Sequence, residues 1–237
     1  MSDRIAATVE LPGARAVFST RLGGVSEGPY ESLNLGILTD DDRERVVENR
    51  RLLAEAAGLD PGGIAMGWQV HGTDLHDWRD RPGTFAVPGG PLPRVDGHLT
   101  SEPGLALLVL VADCFPVALA APGQVAMLHC GWRGLSSGIV ERALARFEEA
   151  PAAAVGPGIG PCCYEVGPEV LAAFEDGAGR GRTLDLRAIV ERALRAGGVE
   201  RIEHVDHCTS CNAELYFSHR RDGGVTGRQA GLVWRAE

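Results

Sequence analysis

The chain contains no lysine; all 23 of its basic residues are arginine. That absence removes two mechanisms. Schiff-base catalysis needs a reactive amine, and a phosphate-binding P-loop needs its lysine. A basic excess is missing as well. The formal net charge is −9, the wrong balance for a nucleic-acid surface, whose phosphates call for a basic face. A small anionic substrate remains compatible, because a few arginines can make a positive pocket in an acidic protein. Long apolar runs are also lacking. The longest, residues 105–112, is too short to cross a bilayer. The N-terminal "MSDRIAATVELPGARAV" lacks the basic start, apolar stretch and cleavage site of a signal peptide, so a cytoplasmic protein is expected, with no membrane partner. No repeat of fixed period occurs. No Ser-His-Asp set or dinucleotide-type glycine fingerprint is apparent, and "GPGIGP" has no lysine after it.

What is present reads as a mixed α/β chain. With 237 residues, 44% of them hydrophobic, it can bury a large core, and one domain spanning 1–237 is expected. "ARAVFST" is β-rich. Residues 39–58 have acidic residues at the start, helical apolar spacing and a terminal Gly58, and predict a helix. Residues 64–72 ("IAMGWQVHG") read as a strand. Residues 79–94, rich in Pro and Gly, read as an ordered loop or a lid. "LALLVLVAD", "PVALAAP" and "QVAMLHCG" read as strands, the last two joined by a short turn. Residues 135–150 and 183–198 and the stretch "GPEVLAAFED" read as helices, and "AAAVGPGIG", "RIEHVD" and "QAGLVWR" as strands. Strands that are apolar on both faces must be covered on both sides. The expected architecture is a layered sandwich of mixed β-sheets flanked by helices.

Reactive side chains stand where apolar runs end. Cys114 follows "LALLVLVAD", His129 closes "QVAMLHCG", and His71 ends "WQVHG". Strand alternation sends His129 and Cys130 to opposite faces, so if His129 lines a pocket Cys130 does not, except through a bulge. Pro116 removes a backbone donor and is expected to disturb pairing beside Cys114. Two imidazoles and a thiolate are a reasonable zinc set with an open fourth position. The spacing alone does not decide between a metal, a nucleophile–base pair and plain packing. "CGWRGLSSG" is a turn entering a helix, with Arg133 suited to hold phosphate or carboxylate. Cys162 and Cys163 are adjacent and poorly placed to pair with each other. His204, His207, Cys208 and Cys211 allow a closed zinc site or a redox Cys-x-x-Cys, against a simpler reading as buried thiols and loop histidines. "FSHRRDGGVTGRQAG" is a turn-rich segment with three arginines, whose simplest reading is an exposed hairpin bending at Asp-Gly-Gly.

In order along the chain, "FSTRLGGVS", "NLG", "QVHG", "DG", "ADCFPV", "LHCGWRG", "GPGIGPCCYEVG" and "FSHRRDGGVTGRQAG" resemble the bacterial laccase-domain proteins. These are variously called multicopper polyphenol oxidases, purine nucleoside phosphorylases and peptidoglycan editing factors. The resemblance runs from about residue 15 to 235. One departure is "HCGWRG", where the family often has alanine in place of Cys130. The resemblance implies one α/β domain of layered mixed sheets and a zinc ion held by His71, Cys114 and His129. It implies phosphorolysis of adenosine, inosine or methylthioadenosine to base and sugar phosphate, with adenosine deamination as a second activity. Copper follows from the laccase label but is disfavoured, since seven scattered histidines cannot build several copper centres. On this reading Arg21 and Arg133 hold phosphate, Asp113 carries a proton, and Asn34 and Gln69 bind substrate. The partners are nucleoside and phosphate. The alternatives are a hydrolase with Cys114 as nucleophile and His129 as base, acting on a cell-wall amide, a polyphenol oxidase of the laccase type, and a non-catalytic zinc-stabilised module. The sequence does not fix an oligomeric state.

Overall fold

A computed structural model describes residues 3–82, 85, 91–174 and 179–236. In chain order it forms β1 (Ile5–Leu11), β2 (Ala14–Ser19), α1 (Arg43–Ala57), β3 (Ile64–Ala65), β4 (Leu75–Trp78), β5 (Gly97–Thr100) and β6 (Ala106–Val111). Next come β7 (Phe115–Ala121), β8 (Gln124–Cys130), α2 (Trp132–Ser136), α3 (Ile139–Leu144), β9 (Ala152–Val155) and α4 (Pro168–Leu171). A small hairpin, β10 (Gly179–Arg180) and β11 (Thr183–Leu184), precedes α5 (Leu186–Ala196), β12 (Ile202–His204) and β13 (Gln229–Arg235). Two sheets result. One has the order β1-β2-β13-β6-β3, the other β12-β9-β7-β8-β5-β4.

Strand periodicity explains how the sheets stack. In β8, Val125 and Met127 face the first sheet, while Ala126, Leu128 and Cys130 join the core under α2, α3 and α5. In β6, Leu107, Val109 and Val111 turn to the second sheet, and Ala106 and Leu108 turn to the α1 side. The layers therefore run α1, sheet, sheet, then α2, α3 and α5. Both sheets are mixed, since β3–β6, β4–β5 and β9–β12 are parallel pairs among antiparallel ones. This is the mixed, helix-flanked sandwich expected from the sequence. No helix among the described residues is long and apolar enough to cross a membrane.

Helix α1 starts where Asp42 accepts from the backbone N–H groups of Glu44 and Arg45, and stops at Gly58 in the left-handed conformation (φ 69°). Other boundaries differ from expectation. The segment 135–150 is not one helix, because Gly138 (φ 85°) divides α2 from α3. In 64–72 only Ile64 and Ala65 pair as strand. α4 is shorter than expected, and β1, to which the sequence reading assigned no element, pairs with β2. Pro116 does not break the sheet. It sits inside β7 opposite His129, and its carbonyl accepts from Gly156 N–H. Of the segment 79–94, residues 83–84 and 86–90 lie outside the described residues.

The sheets approach closely at Gly231 of β13. A Cβ there would lie 2.2 Å from Met127 Cε and 2.6 Å from Pro116 Cβ. The methionine tip can move, but the proline ring in β7 cannot. Gly231→Ala is expected to destabilise the fold by about 1–3 kcal/mol, the usual cost of overpacking a filled core. A urea midpoint equal to wild type would show that the sheets can part at no cost.

Candidate metal centre and pocket

Three connections leave the sandwich at one end. His71 lies between β3 and β4, Cys114 between β6 and β7, and His129 near the end of β8. The first two connections each pass from one sheet to the other. The strands thus deliver to one place side chains that are far apart in sequence. Ligand atoms of His71, Cys114 and His129 all lie within 4.8 Å of one another. The two imidazoles meet edge to face, with ring centroids 4.8 Å apart.

Local backbone geometry serves this convergence. His71 (φ 60°) and Asp113 (φ 92°) occupy the left-handed region that non-glycine residues seldom enter, and strain of this kind concentrates at functional sites. The turn that aims Cys114 is therefore made at Asp113, not at Pro116. Gly131 keeps the space between two of the ligands open. A Cβ there would stand 3.0 Å from Cys114 Sγ and 3.2 Å from the His71 ring.

Asp96 holds two of the three ligands. Its fully buried carboxylate accepts from the backbone N–H groups of Val70 (3.0 Å), His71 (2.9 Å) and Gly72 (2.7 Å), and from His129 Nδ1 at 2.7 Å. The bond to Nδ1 leaves Nε2 of His129 free to ligate, the arrangement usual behind a metal-bound histidine. Burial opposes the Asp96 charge, but His129 and the Gly72 and Val70 N–H groups overcome it and lower its pKa. Burial also works against the Cys114 thiolate, yet His129 and His71 beside it bring the thiol down to about 6. The same contact raises His129 against its own desolvation, with Cys114 and then Asp96 as the causes. A sulfur already inclined to thiolate, flanked by two imidazoles and backed by an acid, fits a zinc-type divalent cation.

The three ligands line a pocket of about 530 Å³, a size that takes small-molecule ligands. Its wall also includes Trp68, Gln69, Trp132, Arg133, Tyr164, His219, Arg220 and Arg228. Of the residues singled out in the sequence, Arg133 lines the pocket and stacks on Trp132 at 4.5 Å. Gln69 lines it too, but its amide is paired with Leu110, donating to the carbonyl and accepting from the N–H.

Two residues expected to touch ligand do not reach the pocket wall. Arg21 donates to the carbonyls of Glu31 and Ala213 and lies over Phe217. Asn34 is fully buried, and its Oδ1 accepts from Gly36 and Arg228 N–H, so it braces the wall from behind. Asp113 borders the pocket, but its oxygens accept from Thr209 Oγ1 and Arg220 N–H, both at 2.7 Å. Both oxygens thus tie down the loop that carries Thr209 and Arg220. That loop corrects another expectation. "FSHRRDGGVTGRQAG" is not an exposed hairpin; it brings Arg220 and Arg228 to the pocket. Arg220 lies over Tyr164 at 5.1 Å, and Arg228 is anchored on the Thr226 and Gly227 carbonyls. Sequence reasoning missed both arginines, and Asp96 with them. The one available hint was the "DG" and "TGRQAG" segments within the family resemblance. His204 and His207 lie outside the centre: His207 Nδ1 meets the Tyr216 hydroxyl, and His204 stands 3.5 Å from Glu191.

A family profile described as multi-copper polyphenol oxidoreductase laccase matches residues 15–236. The chain belongs to this laccase-domain family. A protein of Streptomyces coelicolor named purine nucleoside phosphorylase is 43% identical over 242 residues, covering 94% of this chain and 96% of that one. Another with that name, YlmD of Geobacillus stearothermophilus, is 38% identical over 254 residues, covering 95% and 91%. The crystal structure of YlmD superposes with a TM-score of 0.88 at 36% identity, covering 95% of this chain and 93% of that one. The multi-copper part of the family description finds little support in the ligands. Among the described residues the groups able to hold a metal are this His-Cys-His set and a cluster of four cysteines.

Proposed function

We propose that the chain is a zinc-dependent purine nucleoside phosphorylase acting on adenosine, inosine or methylthioadenosine, with adenosine deamination as a second activity. The observation that carries the proposal is the convergence of His71, Cys114 and His129 at a pocket walled by three arginines. The names of the relatives support the same reading. Zinc held by the three ligands supplies Lewis acidity toward a substrate oxygen.

The chain's own residues do the rest. In phosphorolysis a phosphate oxygen bonds to the anomeric carbon as the bond to the purine nitrogen breaks. Arg133, Arg220 and Arg228 make a local cationic wall in an acidic protein, suited to phosphate. Among the described residues none of the three is ion-paired with a carboxylate. Stacking on Trp132 and Tyr164 holds two of these guanidinium groups in place before ligand arrives. Trp68 and Leu38, 39% and 67% exposed, present apolar surface at the pocket that a flat purine can cover.

The test is release of base from inosine and of ammonia from adenosine, with and without phosphate, on protein of measured metal content. Base release that needs phosphate supports phosphorolysis; phosphate-independent loss of ammonia supports deamination. Neither reaction with zinc-loaded protein would refute the proposal. Arg228→Met is expected to raise the KM for phosphate about tenfold to a hundredfold, the worth of one or two charge-assisted hydrogen bonds, with a smaller change in the KM for nucleoside. Equal rises in both would place Arg228 outside phosphate binding. A second reading, Cys114 as nucleophile with His129 as base in amide hydrolysis, draws on the contact between these two side chains. Turnover of an amide substrate that survives complete metal removal would select it.

A further inference from the structure

A second sulfur-rich cluster lies outside the centre described above. Cys162 and Cys163 belong to the loop after β9, and Cys208 and Cys211 to the loop after β12. β9 and β12 are parallel neighbours, so both loops leave the sheet at the same end. Their pairing continues past the strands through a bridge between Gly158 and Cys208, with Thr209 N–H donating to the Gly158 carbonyl. This register brings all four sulfurs within 4.8 Å of one another. Cys211 Sγ lies 3.5 Å from that of Cys162 and 3.4 Å from that of Cys163.

These distances fit an ion better than a disulfide. A disulfide joins its sulfurs at about 2 Å. Four thiolates placed tetrahedrally around zinc, each about 2.3 Å from it, stand about 3.8 Å from one another. Sulfurs this close leave no room for a cluster of several irons. The backbone is shaped to the sulfurs too. Gly160 N–H donates to Cys208 Sγ at 3.2 Å, and a Cβ on Gly160 would stand 3.2 Å from Cys162 Sγ and 3.5 Å from Cys208 Sγ. Four thiols gain little from touching one another, and four thiolates repel. A divalent cation gives this arrangement a physical reason.

We propose that Cys162, Cys163, Cys208 and Cys211 form a closed structural zinc site, distinct from the His71–Cys114–His129 centre. Binding exchanges four thiol protons, released to solvent, for one ion, with no redox step. The ion clasps two loops that build one wall of the pocket. Cys163 precedes Tyr164, and Arg220 reaches back to the Cys163 carbonyl. Thr209, between Cys208 and Cys211, donates to Asp113. The proposal does not rest on the phosphorylase reading.

The experiment is zinc content and thiol reactivity on full-length protein purified under reducing conditions. Wild type is expected to hold about two zinc ions per chain, and about one in two variants. These are the triple variant His71→Ala, Cys114→Ser, His129→Ala and the double variant Cys208→Ser, Cys211→Ser. Cobalt loaded into the triple variant should give a strong sulfur-to-cobalt charge-transfer band with tetrahedral d–d bands. If the double variant fails to fold, the triple variant and the wild-type thiols still decide the matter. A triple variant that binds no zinc or cobalt would overturn the proposal. So would four thiols that react at once in wild type without a chelator, or a disulfide from Cys211 to Cys162 or Cys163. Zinc kept by the triple variant but without the second equivalent in wild type would count against the active centre alone.

Discussion

Cys114→Ala is expected to abolish phosphate-dependent release of hypoxanthine from inosine, a loss of about a thousandfold or more, since Lewis-acid catalysis supplies several kcal/mol of transition-state stabilisation. The fold should survive. Cys114 is only half-buried, at the rim of the core between the two sheets, and a small residue there leaves the strands paired. Loss of activity should come with loss of the ion the three ligands would share. Cys130→Ala is the matched control. Cys130 is the neighbour of His129, but it points into the core beneath α2, α3 and α5, where burial raises its thiol well above the ordinary range. Its removal should lower stability by about 1 kcal/mol, as for a small buried deletion, and leave turnover near wild type. Alternation along β8 thus turns Cys130 away from the side that His129 faces, while the turn at Asp113 aims Cys114 toward it. Cys114→Ala turnover within tenfold of wild type would end the metal-centred account, whatever its metal content.

The same alternation explains which parts could be read from the sequence. The opposed directions of His129 and Cys130 follow from the period of a strand, and the end of α1 follows from Gly58, whose chemistry acts within a few residues; the start, expected at residue 39, falls at Arg43 because Asp42 is the acid that caps it. The sandwich was legible because β6 and β7 are apolar on both faces. What could not be read depends on partners distant along the chain. Val70–Gly72 looks like the end of a strand, yet it is wrapped around the Asp96 carboxylate, and no local pattern announces that acid. Arg21 and Arg228 look alike in sequence. The fold puts the first over Phe217 and the second in the pocket. Likewise the partners of Cys208 and Cys211 are not the nearby His204 and His207 but Cys162 and Cys163, brought over by a parallel strand pair. Spacing finds candidate ligands; register decides which of them meet.

Asp96 carries the other large expected effect. One of its oxygens accepts from His71 N–H and His129 Nδ1, the other from Val70 and Gly72 N–H. Asp96→Asn replaces one oxygen by an NH₂ donor, and neither placement is harmless. On the side of Val70 and Gly72 the amide meets two donors, and the turn that carries His71 must open. On the side of His129 it donates to Nδ1, which drives the imidazole to the tautomer with its proton on Nε2, and that nitrogen can no longer ligate. Zinc affinity is therefore expected to fall about 10–100-fold, the usual cost of losing an outer partner of a metal-bound histidine. Asp96→Ala should do more. It strands three backbone donors in a buried site and is expected to destabilise the fold by about 3–5 kcal/mol, as for breaking a buried charged pair. A structural role alone would lower stability without touching metal affinity, so the zinc dependence of turnover is the deciding readout. Excess zinc should restore much of the activity of Asp96→Asn and none of that of Cys114→Ala. An asparagine variant with wild-type zinc affinity would show that the carboxylate merely ties the turn, and that His129 chooses its tautomer without it.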